Sequence, residues 1–237
     1  MKKYELTAEF IEKWGKKLFR IKALISFGSV EVGELGGYVE KEDNLAQDGN
    51  AWVYGNAWVY GNAEVYGNAR VCGDAEVYGN AEVYGDARVC GNAEVYGNAW
   101  VYGNARVCGD AEVYGNAEVY GDARVCGNAR VYGNAEVYGN AEVYGNAWVY
   151  GNADYLLIGR IGSRFSFTTF FKNKDKGITV SCGCFLGTIA EFRAKVSDTH
   201  GNNKHAKIYN LAADMAELQI LGEEYFDKLN TNKSEPF

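Results

Sequence analysis

Gly49-Asn50-Ala51-Trp52-Val53-Tyr54 opens a six-residue phrase that runs without a break to Tyr150. Each copy reads Gly-(Asn/Asp)-Ala-x-Val-(Tyr/Cys), and seventeen copies follow one another. Repetition at a short fixed period marks a solenoid, whose units bury their apolar faces only against their neighbours. Ala and Val stand two apart, so on an extended strand they share one side and x takes the other. The constant small-plus-branched pair is the inside, and the variable x is the outside. Gly-Asn supplies the bend, because Gly enters positive φ freely and Asn tolerates it better than most residues.

The number of hexads per coil is also readable. Cys replaces Tyr at Cys72, Cys90, Cys108 and Cys126, and Arg fills x at Arg70, Arg88, Arg106 and Arg124, both at intervals of 18 residues. One special hexad in every three predicts a triangular prism with three chemically different faces. The first face carries Trp52, the four arginines and Glu142 at x. The second carries Trp58, Glu76, Glu94, Glu112, Arg130 and Trp148, and the third carries Glu64, Glu82, Trp100, Glu118 and Glu136. Residues 67–102 and 103–138 differ only at Glu94/Arg130 and Trp100/Glu136, so two coils were duplicated as a unit.

Outward from the repeat, residues 1–36 form an N-terminal cap. Short alternating runs on either side of Gly15 predict a β-hairpin; a helix from Thr7 competes, but Gly15 interrupts it. Val39, Leu45 and Ala51 fall six apart, so the repeat begins in degenerate form near Gly37 and the prism spans 37–153. Residues 154–229 read as a small α+β domain of three strands and then two helices. Thr188 and Glu191 form a capping box for the first helix, which Gly201 closes. The second spans about Lys204–Leu221, with Ile208, Leu211, Met215 and Leu218 on its apolar face. Residues 230–237 read as a loose tail.

Net charge is −7 and no long basic run exists, which argues against nucleic acid or anionic membrane as partner. No stretch approaches 18 apolar residues, and the start lacks an apolar signal core, so a cytoplasmic protein is expected. In that compartment the six cysteines are reduced thiols rather than a disulfide framework.

The small residue followed two later by an aliphatic, as in Ala63-Glu64-Val65 and Ala81-Glu82-Val83, resembles the hexapeptide-repeat left-handed parallel β-helix family. The resemblance implies a mainly β, left-handed parallel β-helix. It departs from the family in placing Tyr or Cys, not Gly, directly after the aliphatic. Residues 18–60 also resemble uncharacterised bacterial and prophage members, through Arg20-Ile21-Lys22-Ala23-Leu24, Phe27-Gly28 and Leu35-Gly36-Gly37-Tyr38-Val39-Glu40. That implies a phage-linked, bacterial context and no assigned activity. The family's acyltransferases use a His base and a protruding loop; residues 49–153 contain neither a His nor an insertion. A carbonic anhydrase of this fold needs several prism histidines, and an ice-binding face needs Thr; the repeats have none of either.

What remains is a non-enzymatic binding or scaffold protein. The Arg/Cys column (Arg70, Arg88, Arg106, Arg124 with Cys72, Cys90, Cys108, Cys126) is either a solvated surface or a face for something acidic. A second copy's Glu ladder would make a homo-oligomer; an anionic small molecule or a host protein is the other partner. In the C-terminal domain, Ser163, Arg164, Thr168 and the Thr188 helix N-terminus form a possible anion site. Cys182, Cys184, His200 and His205 are the zinc alternative, with an unusual Cys-x-Cys spacing. The expected prism metal and cofactor are none. Alternatives are an acyltransferase-like enzyme with its chemistry in the C-terminal domain, or capture of a nucleotide-like signal there.

Overall fold

The structure is a computed structural model that describes residues 2–222, so the expected tail 230–237 lies outside the described residues. The hexads close into a three-sided parallel β-solenoid. Each x–Val pair lies in register with the pair 18 residues on, as in Arg88↔Arg106 and Glu118↔Glu136. The first and third faces are sheets of six and five strands; the second continues into three N-terminal strands to make nine. Three N–H groups per hexad point along the axis: Asn98 donates to Gly115 O at 2.7 Å, Trp100 to Ala117 O at 2.9 Å and Tyr102 to Val119 O at 2.9 Å. Every hexad Ala and Val from Ala51 to Val149 is fully buried.

The corners turn on glycine alone. Every corner Gly from Gly49 to Gly145 has positive φ, 79° at Gly91. The expectation that Asn shares this strain is corrected, since the non-glycine residues with positive φ are Trp14, Phe165 and Lys176 among the described residues. Asn instead projects along the prism edge, where its amide meets the next: Asn80 Nδ2 donates to Asn98 Oδ1 at 3.0 Å, and Asn98 to Asn116 at 3.0 Å. Corner glycines also stack, and a Cβ on Gly91 would lie 3.0 Å from the backbone N and O of Gly109.

At the N-terminal end the predicted hairpin forms from β1 (Tyr4–Lys13) and β2 (Lys16–Ala23), turning through Trp14 and Gly15, both at positive φ. β3 (Leu35–Val39) pairs antiparallel with β2 and parallel with the second face. The six-residue spacing of Val39, Leu45 and Ala51 is corrected. Val39 pairs with Val59 and Leu45 with Val65, both 20 apart (59 − 39 and 65 − 45), whereas Val53 pairs with Val71, 18 apart (71 − 53). The third inward residue of the first coil is therefore Val53, and two extra residues precede it. They are accommodated because the chain's start ties that segment down: Tyr4 OH donates to Glu42 O and Leu45 O, and Gln47 Oε1 accepts from Lys3 N at 2.8 Å. The Lys3 ammonium is buried, donates to Asp48 O and Ala51 O at 3.0 Å each, and burial pushes its pKa down to about 8. Trp52, although at position x, is fully covered, with Tyr4 and Phe27 edge-on to it.

At the other end the sheet has four strands rather than three: β4 (Tyr155–Ile161), β5 (Ser166–Lys172), β6 (Ile178–Cys182) and β7 (Phe185–Thr188), an antiparallel meander. The unforeseen β7 is four residues long and carries Gly187, which hides its alternation. α1 (Ile189–His200) and α2 (Lys204–Leu221) follow, with the Thr188–Glu191 capping box formed. The apolar face expected on α2 is corrected: Ile208, Leu211, Met215 and Leu218 are exposed, and Ala206, Tyr209, Ala212, Ala213, Ala216 and Ile220 are buried. Close approach of α2 to the sheet selects the small residues. Arg193 of α1 also draws that side inward, donating to Asp214 and Glu217 at 2.7 Å each. Phe171 and Tyr155 complete the prism core, and Thr169 Oγ1 accepts from Glu142 N at 3.0 Å.

Glycine stacking makes a direct comparison possible. Gly91→Ala meets both a φ of 79° and backbone of the next coil, whereas Gly145→Ala has a φ of 67° and open space. Thermal melts followed by circular dichroism should show the larger loss for Gly91→Ala, against about 1–2 kcal/mol for the left-handed cost alone. Equal losses would mean that coil stacking is not the constraint.

Candidate functional site

Most of the prism exterior is self-satisfied. On the second and third faces the tyrosines stack coil on coil, as Tyr84 on Tyr102 at 4.9 Å. Tyr66 OH donates to Glu82 at 2.7 Å, Tyr78 to Glu94 at 2.9 Å and Tyr102 to Glu118 at 2.9 Å, so carboxylates one coil on receive a phenol. These phenols are held well above the ordinary tyrosine value by burial and by the paired Glu.

The first face differs. Over its four middle coils Cys replaces Tyr and x is Arg instead of Glu, while Tyr54 and Tyr144 remain at its two ends. The expectation of reduced thiols is corrected for four of the six cysteines: Cys72–Cys90 and Cys108–Cys126 are disulfides, each with Cα atoms 4.6 Å apart, while Cys182 and Cys184 are free. The reason is geometric. Parallel in-register strands place successive Cys side chains one coil apart, inside the range that a disulfide spans. Arg124 lies 3.9 Å from Glu142, while Arg70, Arg88 and Arg106 have no ion-pair partner within 4 Å among the described residues. A groove of about 250 Å³ runs between Arg88, Arg106 and Arg124, with Asp86 and Asp122 on its rim. The Arg column is therefore partly offset by the neighbouring corner column.

A second site lies in the C-terminal domain, where the β6–β7 turn, α1 and α2 enclose a pocket of about 290 Å³. Arg164 and Lys195 supply charge, Phe185 and Phe192 supply apolar wall, and no carboxylate lines it among the described residues. Tyr209 closes its base; burial pushes the phenol up and Cys182 adds to this, while Arg164 and Ser163 oppose it. His200 lines the pocket with its ring 5.8 Å from that of Tyr209.

Of the expected anion residues, Ser163 and Arg164 line this pocket. Thr168 and Thr188 are corrections. Thr168 is buried and its hydroxyl donates to Cys182 Sγ at 3.2 Å. Thr188 N–H is already bound by the Glu191 carboxylate at 2.8 Å, so the α1 N-terminus has its anion from within the chain. Cys182, Cys184 and His200 share the pocket, but no group of three or more His, Cys, Asp or Glu converges as a metal site among the described residues. Lys195 and Tyr209 were missed. Phe192, Lys195 and Thr199 fall on one helical face, and that spacing was the available signal.

A family model described as YdcK beta solenoid repeat matches residues 87–103 and 123–139. The two matches begin 36 residues apart (123 − 87), the length of the duplicated two-coil unit. They support a β-solenoid repeat and carry no activity. No curated protein matches the chain. No described helix is long and apolar enough to cross a membrane.

The Tyr–Glu rungs predict a measurable contribution. Tyr102→Phe removes the 2.9 Å bond to Glu118 and should cost about 1 kcal/mol in chemical denaturation. Tyr150→Phe, at a ring 62% exposed, should change nothing measurable. A neutral Tyr102→Phe would remove the carboxylate-satisfying role.

Proposed function

We propose that this chain is a non-enzymatic binding protein, a stiff prism carrying a C-terminal pocket for a small ligand that joins an anionic group to a flat apolar part. One observation carries the reading: Arg164 and Lys195 line the same pocket as Phe185 and Phe192, with no lining carboxylate among the described residues. A cationic, apolar-walled cleft of this size suits a small ligand rather than a protein segment. Phenyl phosphate is the probe, with inorganic phosphate and phenol as half-ligands. Calorimetry should show phenyl phosphate binding more tightly than either half, and Arg164→Ala or Lys195→Ala should weaken it tenfold or more. Unchanged affinity in both variants overturns the reading, and turnover of acetyl-coenzyme A would replace it with the acyltransferase alternative.

Self-association is the second reading, favoured by two surfaces. Arg88 and Arg106 have no ion-pair partner within 4 Å among the described residues, and α2 exposes Ile208, Leu211, Met215 and Leu218 at 3-4-3 spacing. That spacing is the seam of a helix pair, so the occupant is a second copy. Sedimentation equilibrium of Leu211→Glu/Met215→Glu and of Arg88→Glu/Arg106→Glu should locate the contact by which pair dissociates the assembly. An unchanged mass in both removes this reading. A phage-linked cytoplasmic setting, which the resemblance of residues 18–60 suggests, belongs to the same proposal. Disulfides in that compartment are usually transient, catalytic or redox-sensing.

A further inference from the structure

We infer that the four-cysteine column of the first face is a thiol–disulfide exchange site, in which the bonded pair shifts along the prism one coil at a time. The pairs Cys72–Cys90 and Cys108–Cys126 leave Cys90 and Cys108 adjacent but unbonded. Their strands have the same parallel register as the bonded ones, Arg88↔Arg106 and Val89↔Val107. Cys90 N–H donates to Val107 O at 2.9 Å, as Cys72 N–H does to Val89 O at 2.9 Å. The backbone thus treats the unbonded neighbours as it treats Cys72–Cys90, while at Cys108–Cys126 the ladder extends two residues further, through Gly109↔Gly127.

A stacked column also suits the reaction. Exchange proceeds by attack of a thiolate on a disulfide sulfur, with the other sulfur leaving. Four cysteines one above another place the attacking, central and leaving positions in sequence along the axis. The arginine of each hexad stands two residues before its cysteine, on the same outward side, and a guanidinium beside a thiol favours the thiolate. All four cysteines are partly exposed, so a small dithiol reaches them.

The steps balance. A small dithiol reduces Cys72–Cys90 and is itself oxidised to its disulfide, leaving thiols at Cys72 and Cys90. Cys90 loses its proton to solvent and attacks Cys108 Sγ. The Cys90–Cys108 bond forms, the Cys108–Cys126 bond breaks, and Cys126 leaves as a thiolate that takes up a proton. Cys72, deprotonated in turn, then attacks Cys90 Sγ, restoring Cys72–Cys90 and releasing Cys108. The two exchanges carry the thiol pair from Cys72 and Cys90 to Cys108 and Cys126 with no net oxidation.

Cys72→Ser in the full chain tests this, because it leaves Cys90 as a thiol beside Cys108–Cys126. The folded variant is held at neutral pH, quenched in acid, alkylated and digested with trypsin. Cleavage after Arg88, Arg106, Arg124 and Arg130 puts Cys90, Cys108 and Cys126 on separate peptides. Linked Cys90–Cys108 peptides with alkylated Cys126 should accompany the original pairing within about tenfold of its amount, since the two pairings share one geometry. Arg88→Gln/Arg106→Gln in that background removes two cleavage sites, so it is followed by the alkylated Cys126 peptide 125–130, whose appearance should slow severalfold. Cys90 alkylated throughout overturns the inference, and so does a Cys90–Cys126 bond, which only an unfolded chain could form. If circular dichroism shows that Cys72→Ser does not fold, wild-type chain with less than one equivalent of dithiothreitol gives the same readout. Linked Cys90–Cys108 peptides then support exchange, and their absence overturns it.

Discussion

Most side chains of the prism sit one strand spacing, about 4.8 Å, above a copy or near copy of themselves, the chief exceptions falling at position x. That constraint governs the sequence more than any single contact. A residue is admissible at a position only if it tolerates its own image at that distance. Inside, Ala and Val do so by packing. At the corners Gly does so because nothing larger fits between Gly91 and Gly109. On the edges Asn does so because an amide is both donor and acceptor, as Asn98 is between Asn80 and Asn116.

Charged columns are the hard case, since like charges one coil apart repel. The second and third faces meet it with tyrosine: the phenols stack along the axis and, where Glu stands one coil on, several donate to it, as Tyr102 does to Glu118. The first face meets it differently. The residues sixteen places after Cys72 and Cys90 are Arg88 and Arg106, so a phenol at either position would find no carboxylate one coil on to donate to. The corner carboxylates Asp86 and Asp122 temper the column, and the vacated Tyr position becomes Cys, which tolerates its own image by bonding to it. Arg and Cys coincide on four coils of this face, whereas Arg130 on the second face keeps Tyr132.

The repeat was legible because in-register stacking writes itself into the sequence as a period. The three faces, the inward Ala and Val and the corner Gly follow from spacing alone. The disulfides are legible only as the 18-residue spacing, which on parallel strands brings cysteines within bonding range even though a cytoplasmic setting favours thiols. The ends were harder. Val53 replaces Ala51 as the inward residue of the first coil because the N-terminal strands hold two extra residues, a contact distant in sequence. On α2 the apolar stripe predicts one buried face, whereas packing buries Ala212, Ala213 and Ala216 instead. Thr188 was rightly placed at a helix start, but its own capping partner Glu191 fills the anion position. Half of the candidate anion site, Ser163 and Arg164, was visible; Lys195 and Tyr209 come from helices whose orientation only packing decides.

The same constraint explains where a pocket can exist. A column that repeats cannot readily build an asymmetric concave site, since each rung offers what the rung below offers. The first-face groove is such a ladder, shallow and lined by alternating Arg and Asp or Asn. Four different segments converge only where the period fails, beyond Asp154, the β4–β5 turn bringing Ser163 and Arg164. There the β6–β7 turn brings Cys182 and Cys184, α1 brings Phe192 and Lys195, and α2 brings Tyr209 to one cavity. That domain is joined firmly to the last coil, through Phe171 in the prism core and Thr169 on Glu142 N–H. The prism therefore holds the pocket rigidly at one end and offers its cysteine column along one side. The two features have different origins: the pocket needs the repeat to stop, and the cysteine column exists only because the repeat does not.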